Sequence, residues 1–282
     1  MKLLAIVIIG ICLFFILGKT SWKQYIDEKY VELKKSSLQQ VAIVNLKKET
    51  AGLPDSVKKY FNLVLNDRLP IINHALVTQS GGFRAKPEIT NWSKMEAEQL
   101  FSTSPRAFIW NSTISMVPGV SINVCDSYIG GQGEMKGRIL SAFTLIYEKN
   151  KKELNEGALQ RYLAESVWFP TALLPSQGVA WKELDEFRAE ASIVDSGNVV
   201  SLEFEFNQKG EIISVYTPKR YREVGGKYEP TPWKGTFSNY TNVGGYFIPK
   251  GGEVAWLLKD GVYSYWKASL VKIGRASCRE RV

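Results

Sequence analysis

Histidine is the scarcest residue of this sequence: among 282 residues there is one, His74. A single histidine excludes a metal centre built from several imidazoles, and it leaves one candidate for any Ser-His or Cys-His pair. His74 lies in a strand-like run without an acidic neighbour, which favours a structural role. The sequence also has no Gly-x-Ser-x-Gly elbow, no Cys-x-x-Cys pair and no phosphate-binding glycine loop. We therefore assign no catalytic residue, no metal ligand and no cofactor, and the sequence leans against an enzyme.

Cysteine is nearly as scarce, and the three are Cys12, Cys125 and Cys278. The last lies in residues 273–282, IGRASCRERV, which match one reading frame of a common sequencing adapter, so we expect this segment not to be native. Removing its three arginines and one glutamate takes the formal net charge from +8 to +6. A charge this modest, concentrated beside the apolar N-terminus, favours an anionic membrane surface over nucleic acid as a partner.

Residues 3–17 form an unbroken apolar run between Lys2 and Lys19. As a helix, the run spans about 22 Å, slightly less than the ~30 Å hydrocarbon core of a bilayer. Because no small-x-small cleavage site follows, we predict an uncleaved transmembrane anchor over residues 1–20 rather than a cleaved signal peptide. The chain is then a single-pass membrane protein, and lysines on both sides of the run leave open which side the domain occupies.

Beyond the anchor we predict two regions. Residues 21–52 mix Lys and Glu at three- and four-residue spacings, which is typical of a charged juxtamembrane helix or linker. Residues 53–272 are predicted to form a single α+β domain. Its two main helices follow from the apolar spacing in 57–65 and 159–167, and Asn155 is the expected N-cap of the second.

Alternation of apolar and polar residues dominates the rest of the domain, most clearly from Val200 to Phe206. Turn signals such as Gly81-Gly82 and Gly225-Gly226 separate the candidate strands. Strands do not alternate with long helices, which disfavours a parallel sheet. We therefore predict a large, curved antiparallel sheet, an open half-barrel, with the two main helices on one face.

Two stretches carry the chemistry from which a site is predicted. In the first, Glu165 lies among apolar residues, where a carboxylate must find a partner or shift its pKa; the alternative is a solvated helix face. The second, 218–237, is predicted to be a long loop whose arginines and aromatic rings suit an anionic head group or plain Arg–aromatic packing. The predicted ligand-binding residues are Glu165, Trp168, Phe169, Arg220, Tyr221, Tyr228 and Trp233.

The predicted loop is the segment best suited to cover the end of the second helix. We therefore expect Trp168 and Trp233 to be buried. Arg220 should lie against an aromatic ring or a carboxylate, with Glu165 the first choice.

Three motifs carry a family resemblance. The stretches 161–175 (RYLAESVWFPTALLP), 220–233 (RYREVGGKYEPTPW) and 252–258 (GEVAWLL) resemble the DUF6544 family, a bacterial domain family of unknown function. The resemblance covers about residues 53–271 and implies no activity and no catalytic residue. In strand count and helix placement the domain is also similar to open β half-barrels of the lipoprotein-carrier type, a likeness that implies a fold and not a function.

The leading hypothesis is a membrane-anchored domain that binds an apolar or amphiphilic, lipid-like ligand between the sheet and its helices. One alternative is a hydrolytic or acid/base enzyme centred on Glu165 with Arg220 or Asp126. Another is a structural or protein-binding module of the bacterial envelope. The membrane and a lipid-like ligand are the expected partners, and the oligomeric state is left open.

Overall fold

The computed structural model describes residues 2–37 and 42–276. Within them lie helices α1 (Lys2–Ser36), α2 (Leu46–Glu49), α3 (Asp55–Val64) and α4 (Lys152–Glu165). Three short 3₁₀ helices follow α4, at Ser166–Trp168, Pro170–Leu173 and Pro175–Gln177, and we call residues 166–177 the 3₁₀ segment. The strands are β1 (His74–Phe83), β2 (Ser93–Thr103), β3 (Arg106–Val117), β4 (Val120–Ile129), β5 (Gln132–Ile139), β6 (Phe143–Lys149), β7 (Ala180–Asp185), β8 (Arg188–Asp195), β9 (Asn198–Phe206), β10 (Ile212–Val224), β11 (Lys227–Val243), β12 (Tyr246–Leu258) and β13 (Gly261–Ala276).

These strands form one open antiparallel sheet in the order β6-β5-β4-β3-β2-β1-β13-β12-β11-β10-β9-β8-β7. Consecutive strands pair within two meanders, β1–β6 and β7–β13, and the pairing of β1 with β13 joins the meanders. The chain crosses from one meander to the other through α4 and the 3₁₀ segment. The predicted α+β class with a large antiparallel sheet is confirmed.

The sheet carries helices on both faces. Successive side chains of a strand point to opposite faces, so Phe101 and Phe108 pack in a different core from Leu100 and Ile109. We call the first face inner; α3, α4 and the 3₁₀ segment contribute to its core, as the predicted placement of the two main helices requires. The opposite face, which we call outer, is covered in part by α1.

Helix α1 runs unbroken from the apolar N-terminal run onto the sheet. By length and composition its Leu4–Lys35 part could cross a membrane, properties that a signal sequence shares. Its second half packs on the outer face around a small core: Trp22, Ile26, Leu33, Leu100, Ala107, Ile109 and Cys125. Tyr25 also donates a hydrogen bond of 2.6 Å to Glu134, and Lys29 forms an ion pair of 2.9 Å with the same carboxylate. The charged segment that follows the apolar run therefore contains a helix docked on the sheet.

The predicted 218–237 loop is instead most of a β-hairpin. Strand β10 ends at Val224 and β11 begins at Lys227, with Gly225 and Gly226 at φ 58° and 84° in the turn. Two consecutive residues with positive φ form the type I′ turn, whose twist matches that of the strands it joins. Prolines at 230 and 232 do not break β11 because its pairing with β12 starts only at Trp233.

Two smaller predictions also fail. Gly81 and Gly82, predicted to form a turn, lie inside β1, where they permit a close approach of the neighbouring residues. Helix α4 begins at Lys152, so Asn155 is within its first turn and is not the N-cap. The Asn155 side chain instead accepts a 2.7 Å hydrogen bond from the Gly133 amide and fastens the helix to β5.

Candidate functional site

The site is built where α4 crosses the inner face of β2, β3 and β4. Arg161 and Glu165 are four residues apart on α4, so their side chains lie on one side of the helix. Asp126 on β4 and Gln99 on β2 meet them from the sheet. We call Arg161, Glu165, Asp126 and Gln99 the charged cluster.

Hydrogen bonds connect all members of the charged cluster. Arg161 donates from Nε to Glu165 Oε1 at 2.9 Å and from Nη1 to Asp126 Oδ2 at 2.7 Å. Gln99 donates to the other Glu165 oxygen at 2.7 Å. Behind them, Gln79 donates to Gln99 at 3.0 Å and Trp110 donates to Gln79 at 2.8 Å. The network thus extends from the helix into the sheet, and both oxygens of Glu165 accept a hydrogen bond.

Burial governs the electrostatics of the charged cluster. The side chains of Arg161, Glu165 and Asp126 are 16%, 13% and 11% exposed. Burial raises the pKa of Glu165, and the nearby Asp126 carboxylate adds to the rise, although Arg161 and Gln99 oppose it. Burial alone would lower the pKa of Arg161, but the two carboxylates outweigh it and raise that pKa. The arginine therefore stays charged, whereas Glu165 is easier to protonate than a glutamate in water.

The guanidinium group of Arg161 also lies against aromatic rings. Its central carbon is 4.9 Å from the ring centroid of Trp110 and 5.1 Å from that of Phe108. Such contacts stabilise a cation that burial has removed from water.

The 3₁₀ segment supplies the apolar part of the site. Trp168 and Phe169 are both buried, as predicted for Trp168. Phe169 lies 4.5 Å from Phe101 between ring centroids, and Trp168 lies 6.4 Å from both Phe101 and Trp266. The indole nitrogen of Trp266 is buried without a hydrogen-bond partner. These four aromatic side chains, which we call the aromatic wall, therefore border the charged cluster on the same face of the sheet: Phe101, Trp168, Phe169 and Trp266.

Arg220 and Trp233 lie on this face as well, and Trp233 is buried as predicted. Arg220 donates a 2.6 Å hydrogen bond to the Gly157 carbonyl of α4, and its guanidinium lies 5.0 Å from the Trp233 ring. Trp233 in turn donates to the Tyr265 hydroxyl at 3.0 Å. The partner of Glu165 is Arg161, so the expected first choice for Arg220 is wrong. A local pair four residues apart on one helix meets more readily than a pair drawn from two elements.

Tyr221 and Tyr228 lie farther along the β10–β11 hairpin. Tyr221 pairs with Pro230, and Tyr228 has the Lys151 ammonium 5.6 Å from its ring. Both are partly exposed, and among the described residues neither forms a hydrogen bond or an ion pair with the charged cluster. The structure thus groups Glu165, Trp168, Phe169, Arg220 and Trp233, and leaves the two tyrosines outside the group.

Sequence reasoning missed Gln79 and Gln99, and it named Asp126 only as an alternative. A usable signal existed, because both glutamines occupy buried positions of alternating strands: Val77 precedes Gln79, and Ala97 precedes Gln99, on the same face. A polar residue at an inward position must be hydrogen-bonded. Their partners come from other elements, so the sequence could not identify them.

The space between the inner face and α4 is occupied by side chains. Trp168, Phe169, Leu173 and Leu174 are buried there. Open grooves of about 460 and 550 Å³ lie elsewhere, along α1 and at the β3–β4 hairpin. Within residues 2–37 and 42–276, no three His, Cys, Asp or Glu side chains are grouped so as to hold a metal ion.

Cys125 and His74 lie outside this site. Cys125 belongs to the outer-face core, where burial raises the pKa of its thiol to about 12, so it stays protonated near neutral pH. Burial and the nearby Lys34 lower the pKa of His74, whose Nε2 has no hydrogen-bond partner. In the part of the chain that the structure describes, neither side chain forms a hydrogen bond with the charged cluster.

A family model described as "Family of unknown function (DUF6920)" matches residues 51–274. The chain belongs to this family. The resemblance to DUF6544 is therefore wrong as an assignment. Many of the positions that carried it, Trp168 and Phe169 among them, are buried, and buried aromatic residues record how a core packs rather than which family a chain belongs to.

Among solved structures, the crystal structure of a LolA superfamily protein from Nitrosomonas europaea is similar at 12% sequence identity. The alignment covers 77% of this chain and 90% of that chain, with a TM-score of 0.31. A similarity at this level carries no argument about ligand or mechanism. No curated protein matches the sequence.

Proposed function

We propose that this member of the DUF6920 family is a membrane-anchored domain that binds an amphiphilic, lipid-like ligand between the inner face of its sheet and α4. The apolar part of the ligand would contact Trp168 and Phe169, and its polar group would reach the charged cluster and Arg220. The observation that carries the proposal is that the buried charged cluster and the aromatic wall lie next to each other, beneath α4 and the 3₁₀ segment. Mostly apolar enclosures with a few convergent polar groups are the usual sites of small-molecule binding.

The energetics of the charged cluster support a binding role. A buried ion pair rarely stabilises a fold more than apolar side chains of similar volume would, because its charges have to leave water. Arg161, Asp126 and Glu165 occupy a position that apolar residues could fill, since the surrounding core is apolar. Recognition of a polar group gives a reason for charges at this place that packing does not give.

Entry of a ligand requires the 3₁₀ segment or α4 to move. The side chains of the 3₁₀ segment fill the space that the ligand would enter, so binding displaces this segment or α4 outward. The segment consists of three short 3₁₀ helices interrupted at Phe169 and Leu174, and it has no long helix to hold it rigid. The anchor is supported by α1, whose Leu4–Lys35 part is long and apolar enough for a membrane.

Photo-crosslinking tests this proposal. The full chain is reconstituted in nanodiscs that contain phosphatidylglycerol with a diazirine in its acyl chain, irradiated, and analysed by peptide mass spectrometry. We expect adducts in residues 166–177 and on inner-face residues of β1 or β13, in addition to those on α1. Adducts confined to α1 and to exposed surface would overturn the proposal.

A matched pair of variants separates binding from stability. Arg220→Met removes a hydrogen bond to a main-chain carbonyl and a contact with Trp233. Arg84→Met removes the same kinds of contact, to the Ser264 carbonyl and to Trp92. We expect Arg220→Met to lower the 166–177 adduct yield by about tenfold, a loss of roughly 1.4 kcal/mol. Arg84→Met should leave the yield within about twofold of the parent chain.

An acid/base enzyme at Glu165 is the second candidate, favoured by one observation: the carboxyl is nearly buried and its pKa is raised. Against it, each carboxylate oxygen already accepts a hydrogen bond from Arg161 or Gln99. Hydrolysis of p-nitrophenyl acetate and butyrate by the full chain tests it. Turnover that Glu165→Gln abolishes and Glu183→Gln, on β7, retains would favour the enzyme over the binding proposal.

A further inference from the structure

The β5–β6 hairpin presents apolar side chains to the outside of the molecule. Phe143, Leu145, Ile146 and Tyr147 on β6 are each about half exposed. Strand β6 is also an edge of the sheet, and edge strands of soluble proteins are ordinarily protected by charges, prolines or a covering element. An exposed edge strand with this many apolar side chains is suited to surroundings other than water.

The position of the hairpin relative to α1 identifies those surroundings. The rings of Phe14 and Phe143 lie 5.4 Å apart between centroids. One turn further along α1, Gly18 approaches the hairpin so closely that a Cβ built on it would be 3.1 Å from the Ala142 Cα. The tip of the hairpin is therefore level with the last turn of the apolar run, at residues 14–18.

A second hairpin reaches the same level. The Leu140 amide donates a 2.9 Å hydrogen bond to the Ser121 carbonyl, next to the β3–β4 turn. That turn exposes Met116 and Val117, so the apolar surface at this end of the sheet extends over two adjacent hairpins.

Cations follow immediately behind the apolar tips. The Arg138 guanidinium donates to the Ser21 hydroxyl at 3.3 Å and lies 5.9 Å from the Trp22 ring. One step further along β5, the Lys136 ammonium is 4.1 Å from the ring of Tyr25. Apolar tips backed by Trp, Tyr and basic side chains reproduce the order found across the boundary between acyl chains and head groups.

We propose that the ends of the β3–β4 and β5–β6 hairpins and the adjoining part of β6 dip into the same bilayer that holds α1, with Arg138 and Lys136 at the level of anionic head groups. This inference rests on the anchor of the proposed function, and it is independent of the ligand site on the inner face. The occupant of the apolar edge is the lipid bilayer. The domain is thereby held against the membrane in one orientation rather than hanging from a flexible tether.

Spin-label accessibility tests the inference on the full chain in nanodiscs of phosphatidylcholine and phosphatidylglycerol. Labels are placed singly at Leu145→Cys, at Val199→Cys and at the native Cys12; Cys278 is replaced by serine in every chain, Cys12 is replaced by serine in the first two, and the buried Cys125 is kept. Val199 is the matched control because it is an apolar strand residue of comparable exposure, 64% against 54% for Leu145. It lies next to Asn198, which donates a hydrogen bond to the Gly131 carbonyl at the far end of β5. Strand β5, Gln132–Ile139, is about 23 Å long at ~3.3 Å per residue, and this length separates the control site from the tip of the β5–β6 hairpin.

We expect the Leu145 label to be accessible to oxygen and about fivefold less accessible to a water-soluble nickel chelate than the Val199 label. The Cys12 label, which reports on α1 alone, should be lipid-exposed. If Cys12 is in lipid while the Leu145 and Val199 labels are equally open to the nickel chelate, the anchor stands and the inference fails. Shielding of Leu145 from both reagents would identify a protein interface, such as a second copy on β6, and would also overturn it. A Cys12 label open to the nickel chelate would remove the anchor and the inference together, but not the inner-face site.

Discussion

Gly81 determines how closely β1 and β13 approach. A Cβ at this position would lie 2.0 Å from the Lys267 carbonyl oxygen and 2.6 Å from the Ala268 Cα. Both are backbone atoms of the paired strand, so no side-chain rotation relieves the overlap. We expect Gly81→Ala to reduce the free energy of unfolding by about 1–3 kcal/mol or more, the cost of overpacking a dense core. Urea unfolding of the full chain in mild detergent measures this change.

Gly137 provides the control for that substitution. It is also a strand glycine, but the nearest atom to its added Cβ is 3.7 Å away, an ordinary contact. Gly137→Ala should therefore change the free energy of unfolding by less than about 0.5 kcal/mol. Equal effects of the two substitutions would show that the spacing of β1 and β13 does not depend on Gly81.

Trp168 connects the packing of the core to the proposed ligand. Its burial against Phe101 and Trp266 predicts that Trp168→Ala lowers the free energy of unfolding by about 3–5 kcal/mol. If Trp168 also lines the ligand space, the variant should lose more lipid crosslinking than this destabilisation accounts for. Trp181→Ala, which loses contacts with Phe61 and Phe204 elsewhere in the same core, is the comparison. Crosslinking that tracks stability equally in both variants would reduce Trp168 to a packing residue.

At the level of elements, α1 shows that a charged sequence can contain a helix with one buried apolar face. Its buried residues Trp22, Ile26 and Leu33 are four and seven positions apart, a helical stripe that the sequence contains. The intervening Lys and Glu residues masked this stripe, because a charged segment beside a membrane anchor is ordinarily solvated. The sheet surface that buries it is assembled from strands distant in sequence, and periodicity within α1 cannot reveal that surface.

The attachment of α1 to the sheet should weaken in acid through Glu134. Burial alone would raise the pKa of Glu134, but hydrogen bonds from Tyr25 and Lys29, with the charges of Lys29 and Lys149, hold it below 4.5. A carboxyl with a lowered pKa in the folded state stabilises that state fully above its ordinary pKa, and the contribution is lost as the pH falls through the lowered value. We therefore expect the amides of residues 21–33 to lose protection from hydrogen exchange below about pH 4.5, relative to those of β3.

Glu134→Gln is the test of that assignment. The amide cannot titrate, so the variant should dock α1 less firmly at pH 7 and show no further loss of protection in residues 21–33 below pH 4.5. The Tyr25 hydroxyl retains an acceptor in this variant, whereas Lys29 and Lys149 lose the carboxylate that they pair with. A parent chain and variant with the same pH profile would place the titrating group elsewhere.

At the scale of the molecule, strand existence was predictable and strand partnership was not. Alternation in β9 identified a half-buried strand, and hairpin glycines located most of the turns between neighbours. The pairing of β1 with β13 joins residues nearly 190 positions apart, as in Ser80 with Ser269. Alternation with a period of two identifies a strand but not the strand that it pairs with, so only the folded sheet reveals the pairing of β1 with β13. The charged cluster was hidden for the same reason, since Gln99, Asp126 and Arg161 come from three elements.

The pairing of β1 with β13 predicts that the two meanders unfold together. One core on the inner face includes Phe108 from the first meander, Phe204 from the second and Leu163 from the crossover helix, so neither meander has a core of its own there. We expect the slowest-exchanging amides of β3 and β11 to open with the same free energy and the same urea dependence, because a single cooperative unit exposes both at once. Native-state hydrogen exchange of the full chain in nanodiscs, over a series of urea concentrations, measures both quantities. Different urea dependences for β3 and β11 would divide residues 53–272 into two units and contradict the single domain predicted from the sequence.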